Sequence, residues 1–79
     1  MKIKVNLNEV EAVKQFCMTA SNSTCAGIYL LSGRFVINGR SLLGIFSLDL
    51  SKPIDCEIEG TDEEIADFTA KLKELNLLV

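Results

Sequence analysis

Residues 54–64 read IDCEIEGTDEE and combine a strand pattern with the start of a helix. Apolar side chains at 54, 56 and 58 alternate with acids at 55, 57 and 59, as in a strand with one buried face. Gly60 ends the alternation. Thr61 followed by Glu64 matches a capping box, and the acids that precede Glu64 favour the positive end of a helix dipole. We therefore predict a strand over residues 54–59 that leads directly into a helix.

The beginning of the chain repeats this order. Residues 2–7 read KIKVNL, which predicts a second half-buried strand. Asn8, with Glu11 three residues later, resembles another capping box and predicts a helix over residues 9–20. The outward face of the first strand carries two lysines, whereas the outward face of residues 54–59 is entirely acidic. Because opposite charges stabilise facing strands, we expect these two strands to be neighbours.

The middle of the chain supplies three more elements. Residues 27–31 and 35–37 are rich in strand formers and flank a Ser-Gly turn, which predicts a hairpin. Ser41 is placed to cap a short helix that extends to about residue 48. The last helix has an apolar stripe at helical spacing, made of Ile65, Phe68, Leu72 and Leu75.

The predicted order is β-α-β-β-α-β-α over a single domain of residues 1–79. Two well-patterned helices and a sheet with one apolar face favour a two-layer α+β fold. We expect an open-faced sandwich in which a four-stranded antiparallel sheet carries three helices on one face. The acidic row Asp55, Glu57 and Glu59 then lies on the open face in water, which disfavours a paired-carboxylate catalytic site.

Composition excludes several classes of function. The chain has 79 residues, a net charge of −3 and no histidine. A nucleic-acid binder needs clustered cations, so we expect no direct contact with nucleic acid. Without histidine there is no imidazole base, no histidine metal ligand and no phosphohistidine. We expect no enzyme, cofactor or metal, and no segment that crosses a membrane.

Three cysteines, Cys17, Cys25 and Cys56, do not form a disulfide framework, because their number is odd and no CxxC spacing occurs. They are typical of reduced thiols in a cytoplasmic protein. Cys17 and Cys56 fall on apolar faces and are expected in the core. Cys25 falls in a loop and is expected to be the accessible thiol, although neither a base nor a cleft supports a thiol enzyme.

Residues 38–48 read NGRSLLGIFSL, which resembles the regulatory-serine region of HPr. HPr is the small histidine-containing phosphocarrier of the bacterial sugar phosphotransferase system. The resemblance extends to the turn at residues 60–63 and to Thr19-Ala20-Ser21. It implies the HPr-like fold, and it matches Ser41 to the serine that an ATP-dependent kinase phosphorylates in HPr of Gram-positive bacteria. The adjacent Arg40 could pair with such a phosphate.

The resemblance also implies a docking patch. The family residues that match Leu42, Leu43 and Phe46 are exposed and bind partners, whereas the residue that matches Ile45 packs inward. Helical spacing alone gives a different arrangement, with Leu42, Ile45 and Phe46 on one face and Leu43 off it. An ordinary core or a homodimer contact would also explain these apolar residues.

The start of the first helix departs from the family. Glu9 stands at the position of the phosphocarrier histidine, Glu11 at that of an arginine and Ala12 at that of a proline. The chain thus resembles members that lack the active-site histidine, and histidine phosphotransfer is excluded. Glu9 is interpreted either as a mimic of phosphohistidine or as a residue that satisfies the helix dipole and cap.

These observations predict a regulatory or adaptor protein related to the phosphotransferase system. It would bind partners through Arg40, Leu42, Leu43 and Phe46, under the control of phosphorylation at Ser41. The partners implied by resemblance are HPr kinase and a sugar-responsive transcription regulator. The alternative is a constitutive interaction or oligomerisation domain in which Ser41 is only a cap. The chain is expected to be a monomer or a weak homodimer.

Overall fold

The computed structural model describes all residues 1–79, which form four strands and three helices in the predicted order. These are β1 (Lys2–Val5), α1 (Val10–Ser21), β2 (Gly27–Ser32), β3 (Phe35–Asn38), α2 (Leu42–Phe46), β4 (Ile54–Glu59) and α3 (Asp62–Glu74). The strands form one antiparallel sheet in the order β1-β4-β2-β3. The predicted α+β architecture is confirmed.

Strands β1 and β4 are neighbours, as their charges predicted. Lys4 faces Asp55, and its Nζ lies 3.3 Å from Oδ1 of that residue. The acidic row is less solvated than expected, because Asp55 and Glu57 are half-buried and only Glu59 is exposed. Asp55 pairs with Lys4, and Glu57 lies 3.6 Å from the N-terminal ammonium, so ion pairs on the open face partly shield two of the three carboxylates.

The core lies between the sheet and the helices. Phe16 of α1 and Phe68 of α3 meet edge to face, with ring centroids 5.9 Å apart and an interplanar angle of 71°. This geometry is favoured by the quadrupoles of the two rings. The core contains fifteen buried apolar residues, namely Val5, Leu7, Val13, Phe16, Ala20, Cys25, Ile28, Leu30, Ile45, Ile54, Cys56, Ile58, Phe68, Leu72 and Leu77.

The two predicted capping boxes have different outcomes. At α3 the box is present: the Glu64 N–H donates to Thr61 Oγ1 at 3.1 Å, and the Thr61 N–H donates to Glu64 Oε1 at 2.9 Å. At α1 the prediction is wrong, because the N-cap is Glu9 and its side chain makes no capping hydrogen bond. Asn8 is not the cap because the extended chain continues past it before the helix begins at Val10.

The C-terminal segment covers the outer edge of β1. Asn76 has a φ of 59°, a left-handed conformation that asparagine tolerates, and the chain reverses there. The Asn6 N–H donates to the Leu77 carbonyl at 2.8 Å, and the Val79 N–H donates to the Lys4 carbonyl at 3.0 Å. The predicted stripe of α3 therefore ends at Leu72, and Leu75 is exposed at the C-cap.

The prediction for Cys25 is wrong. This residue is buried, and its Sγ donates to the Glu64 carbonyl at 3.5 Å. The loop that contains it folds onto the start of α3, which local sequence does not reveal. Cys56 is buried as predicted, whereas Cys17 is half-buried beside the core. No helix has the length and apolar character needed to cross a lipid bilayer.

Candidate functional site

Ser41 is the N-cap of α2, as predicted. Its Oγ accepts a hydrogen bond from the Gly44 N–H at 3.2 Å, and its own N–H donates to the Asn38 carbonyl at 2.9 Å. The helix ends at Phe46 rather than near residue 48, so it contains only five residues. The Ser41 side chain is exposed. A hydroxyl in this position is open to solvent while it stabilises the first turn.

The short helix leaves three large apolar side chains in water. Leu43 is 84% exposed, Leu42 is 38% exposed and Phe46 is 39% exposed, whereas Ile45 is fully buried. The arrangement implied by the resemblance is therefore the one observed. Gly44 explains the close approach of α2 to the sheet, because a Cβ at this position would lie 2.8 Å from Ile37 Cγ2.

An apolar groove joins this surface to α1. Lys14, Cys17, Met18 and Ser21 line it on α1, and Leu42 lines it on α2. The groove is open and has a volume of about 390 Å³. Met18 is exposed and is not part of the sequence-based prediction. Its position beside Cys17, off the buried stripe, is the signal that could have indicated it. We call Leu42, Leu43, Phe46 and Met18 the two-helix surface.

Arg40 immediately precedes Ser41, but its side chain is directed to the main chain of another segment. Its Nε donates to the Ala20 carbonyl at 2.8 Å. Its Nη2 donates to the carbonyls of Ser23 and Cys25 at 3.1 and 2.9 Å. The guanidinium edge that would form a paired contact with a phosphate is therefore engaged.

Glu9 and Glu11 lie at the N-terminal end of α1, in an open polar depression of about 400 Å³. Both residues are exposed. The match of Glu9 and Glu11 to the histidine and arginine positions of HPr stays a prediction from the sequence. Two exposed carboxylates make this end of α1 unfavourable for an incoming phosphoryl group, because like charges repel. The depression is lined by Asn6, Asn8, Glu9, Glu11, Ala12, Gln15, Leu75, Asn76 and Leu77.

The pKa values of a core cysteine and of a loop aspartate are shifted in the folded protein. Burial raises the pKa of the Cys56 thiol to about 12, with smaller contributions from Glu57 and Cys25. This thiol is therefore protonated and unreactive at neutral pH. In the loop after α2, the pKa of Asp49 is lowered by hydrogen bonds from the Ser51 side chain and main chain. The Ser51 hydroxyl donates to Asp49 Oδ1 at 2.6 Å, which stabilises this loop.

Comparison with known proteins identifies the fold. A scan against models of protein families and a search of curated proteins found no match. Among solved structures, the crystal structure of HPr-C-His from Thermoanaerobacter tengcongensis is similar to this chain, with a TM-score of 0.72 and 23% identity. The similarity covers 94% of this chain and 91% of that chain. The HPr-like fold implied by residues 38–48 is therefore confirmed.

Proposed function

We propose that this chain is a single HPr-like regulatory or adaptor domain that binds a partner through Leu42, Leu43 and Phe46. The observation that carries the proposal is the 84% exposure of Leu43 beside two partly exposed apolar neighbours. Contiguous apolar side chains on a small domain are costly to hydrate and mark interaction surfaces. Met18 and the groove of α1 extend this surface beyond the short helix.

The proposed control is phosphorylation of Ser41. The γ-phosphoryl group of ATP would pass to Ser41 Oγ, with ADP as the leaving group, and the hydroxyl proton would pass to a base of the kinase. A phosphate adds up to two negative charges beside the apolar side chains of α2. Those charges would change which partners bind. By resemblance, the kinase is HPr kinase and the regulated partner is a sugar-responsive transcription regulator of the cytoplasm.

The test of modification is the intact mass after incubation with HPr kinase and ATP. We expect one added phosphate on the parent chain and none on Ser41→Ala. Ser47→Ala is the matched control, because Ser47 is also exposed and its hydroxyl donates to the Gly44 carbonyl at 2.6 Å. Equal phosphorylation of the parent chain and Ser41→Ala would reject Ser41 as the site.

The test of docking is titration calorimetry with HPr kinase as the partner. We expect Leu43→Ser to weaken binding about tenfold or more, because an exposed apolar anchor loses its buried area in the complex. Val36→Ser is the matched control, because Val36 is an exposed apolar residue on β3 and not part of the two-helix surface. Equal affinities for the two variants would reject this surface.

A second candidate function is a constitutive interaction or oligomerisation domain without phosphorylation. The hydrogen bond from the Gly44 N–H to Ser41 Oγ supports it, because that contact gives Ser41 a structural role. In this case the kinase adds no phosphate, and the same apolar surface binds its partner, or a second copy of the chain, without control. Sedimentation at increasing concentration distinguishes a self-association from a monomer.

A further inference from the structure

Arg40 connects the beginning of α2 with the end of α1. Its guanidinium donates three hydrogen bonds to main-chain carbonyls, at Ala20 in the last turn of α1 and at Ser23 and Cys25 in the following loop. The main chain of Arg40 is also in contact with α1, because Cys17 Sγ donates to its carbonyl at 3.5 Å. Two of the four contacted residues belong to α1, and the other two belong to the loop that follows it.

These hydrogen bonds place a cation at the C-terminal end of α1, which α1 itself does not supply. The last turn of α1 contains no basic residue, although the carbonyls at a helix C-terminus favour a nearby cation. Arg40 supplies that cation from the turn between β3 and α2. Its planar fork can satisfy several carbonyls at once, which the single ammonium of a lysine cannot do with the same geometry.

The same contacts connect the two walls of the groove. Met18 and Ser21 line the groove on the final turns of α1, close to Ala20, and Leu42 lines it two residues after Arg40. The relative position of these walls therefore depends on the segment that Arg40 holds. The one hydrogen of Nε and both hydrogens of Nη2 are used in these bonds, so a phosphate on Ser41 would gain them only by breaking contacts that hold the end of α1.

We infer that Arg40 is a positioning residue that fixes the groove between α1 and α2 through the main chain, without contacting the partner or a phosphate on Ser41. Its role in docking rests on the proposed function. Its effect on the groove does not, because the shape of the groove is measurable in the isolated protein.

The experiment uses NMR of methyl-labelled protein and amide hydrogen exchange, on Arg40→Gln, Arg40→Lys and Arg34→Gln. Arg34, the other arginine of the chain, is exposed and its side chain makes no hydrogen bond or ion pair, so it is the matched control. In both Arg40 variants we expect a weaker cross-relaxation signal between the Met18 and Leu42 methyl groups. We also expect the amides of Ser23 and Cys25 to exchange about tenfold faster or more.

Arg34→Gln is expected to leave both readouts unchanged, and amides in β4 and α3 serve as the internal measure of global stability. Loss of the methyl signal with unchanged β4 exchange supports positioning. An unchanged methyl signal in Arg40→Gln overturns it, and full retention in Arg40→Lys overturns the requirement for the fork. If these signals change but Leu43→Ser binds HPr kinase normally, the positioning role stands and the proposed docking function fails.

Discussion

Helices α2 and α3 both begin at a hydroxyl side chain that accepts a hydrogen bond from the main-chain N–H three residues later. Beyond this shared cap they differ. Helix α3 has thirteen residues and buries Phe68 and Leu72, whereas α2 has five residues and buries only Ile45. The difference teaches that similar local signals start a helix that completes the core and a helix that presents apolar side chains to solvent.

The largest expected effect is the loss of stability when a buried side chain of α3 is removed. Phe68→Ala removes a fully packed ring and its edge-to-face contact with Phe16. We expect a loss of about 3–5 kcal/mol in the free energy of unfolding. A domain of this length has roughly 4–12 kcal/mol in total, so the variant loses a large share of its stability. Urea denaturation measures the change, and a loss below about 1 kcal/mol would contradict the packing described for α3.

The next effect compares the two caps. Thr61→Ala and Ser41→Ala each remove a side-chain acceptor at a helix N-terminus, and we expect each to cost about 1 kcal/mol. Ser41→Gly is expected to cost only a few tenths of a kcal/mol, because glycine tolerates the N-cap position. Denaturant midpoints check these values. Ser41→Gly therefore removes the phosphorylatable hydroxyl with little loss of stability. A large loss in that variant would mean that the hydroxyl has a structural role beyond the cap.

A smaller effect is the pH dependence of stability, which distinguishes the cap of α3 from the cap of α2. The pKa of Glu64 is lowered in the folded protein, first by the hydrogen bond from the Thr61 main chain and then by a hydrogen bond from the Thr24 side chain. A lowered pKa means that the carboxylate stabilises the fold above its unfolded pKa of about 4.3 and loses this contribution as pH falls through the folded value. Ser41 has no titrating group, so the cap of α2 does not share this dependence.

Glu64→Gln is the variant that tests this pH dependence, because glutamine can keep the capping-box geometry without the charge. We expect the stability of the parent chain to fall relative to Glu64→Gln between about pH 5 and pH 3. Denaturation at several pH values measures the difference, and the other carboxylates are common to both proteins. Parallel curves across this range would contradict a charged contribution from Glu64.

The sequence predicts the features of the fold that arise from local patterns and from the charges of the strands. Strand β4 and the capping box of α3 are local patterns, and the pairing of β1 with β4 follows from their opposite charges. The burial of Cys25 and the pairing of the C-terminal segment with β1 depend on contacts between distant residues, so local patterns do not indicate them.

The candidate site divides in the same way. The cap at Ser41 is a local feature and is predicted correctly. Helical spacing alone does not predict the orientation of α2, because a five-residue helix is oriented by Gly44 and Ile45 against the sheet. The resemblance implies this orientation because it matches the residues of α2 to family residues that are exposed or packed inward. The bonds of Arg40 join residues about twenty positions apart, and only the folded structure brings them together.

Leu43, the residue with the largest proposed role in docking, is expected to contribute little to stability. Leu43→Ser is expected to change the free energy of unfolding by no more than about 0.5 kcal/mol, because the side chain is almost fully in water in the free protein. The same substitution is expected to weaken docking. Phe68→Ala would show the opposite pattern, with a large loss of stability and no direct contact with a partner. Denaturation and calorimetry on the same samples measure both quantities. A substantial loss of stability in Leu43→Ser would place this side chain in the packing of the domain, and α2 would then resemble α3 in its role as well as in its cap.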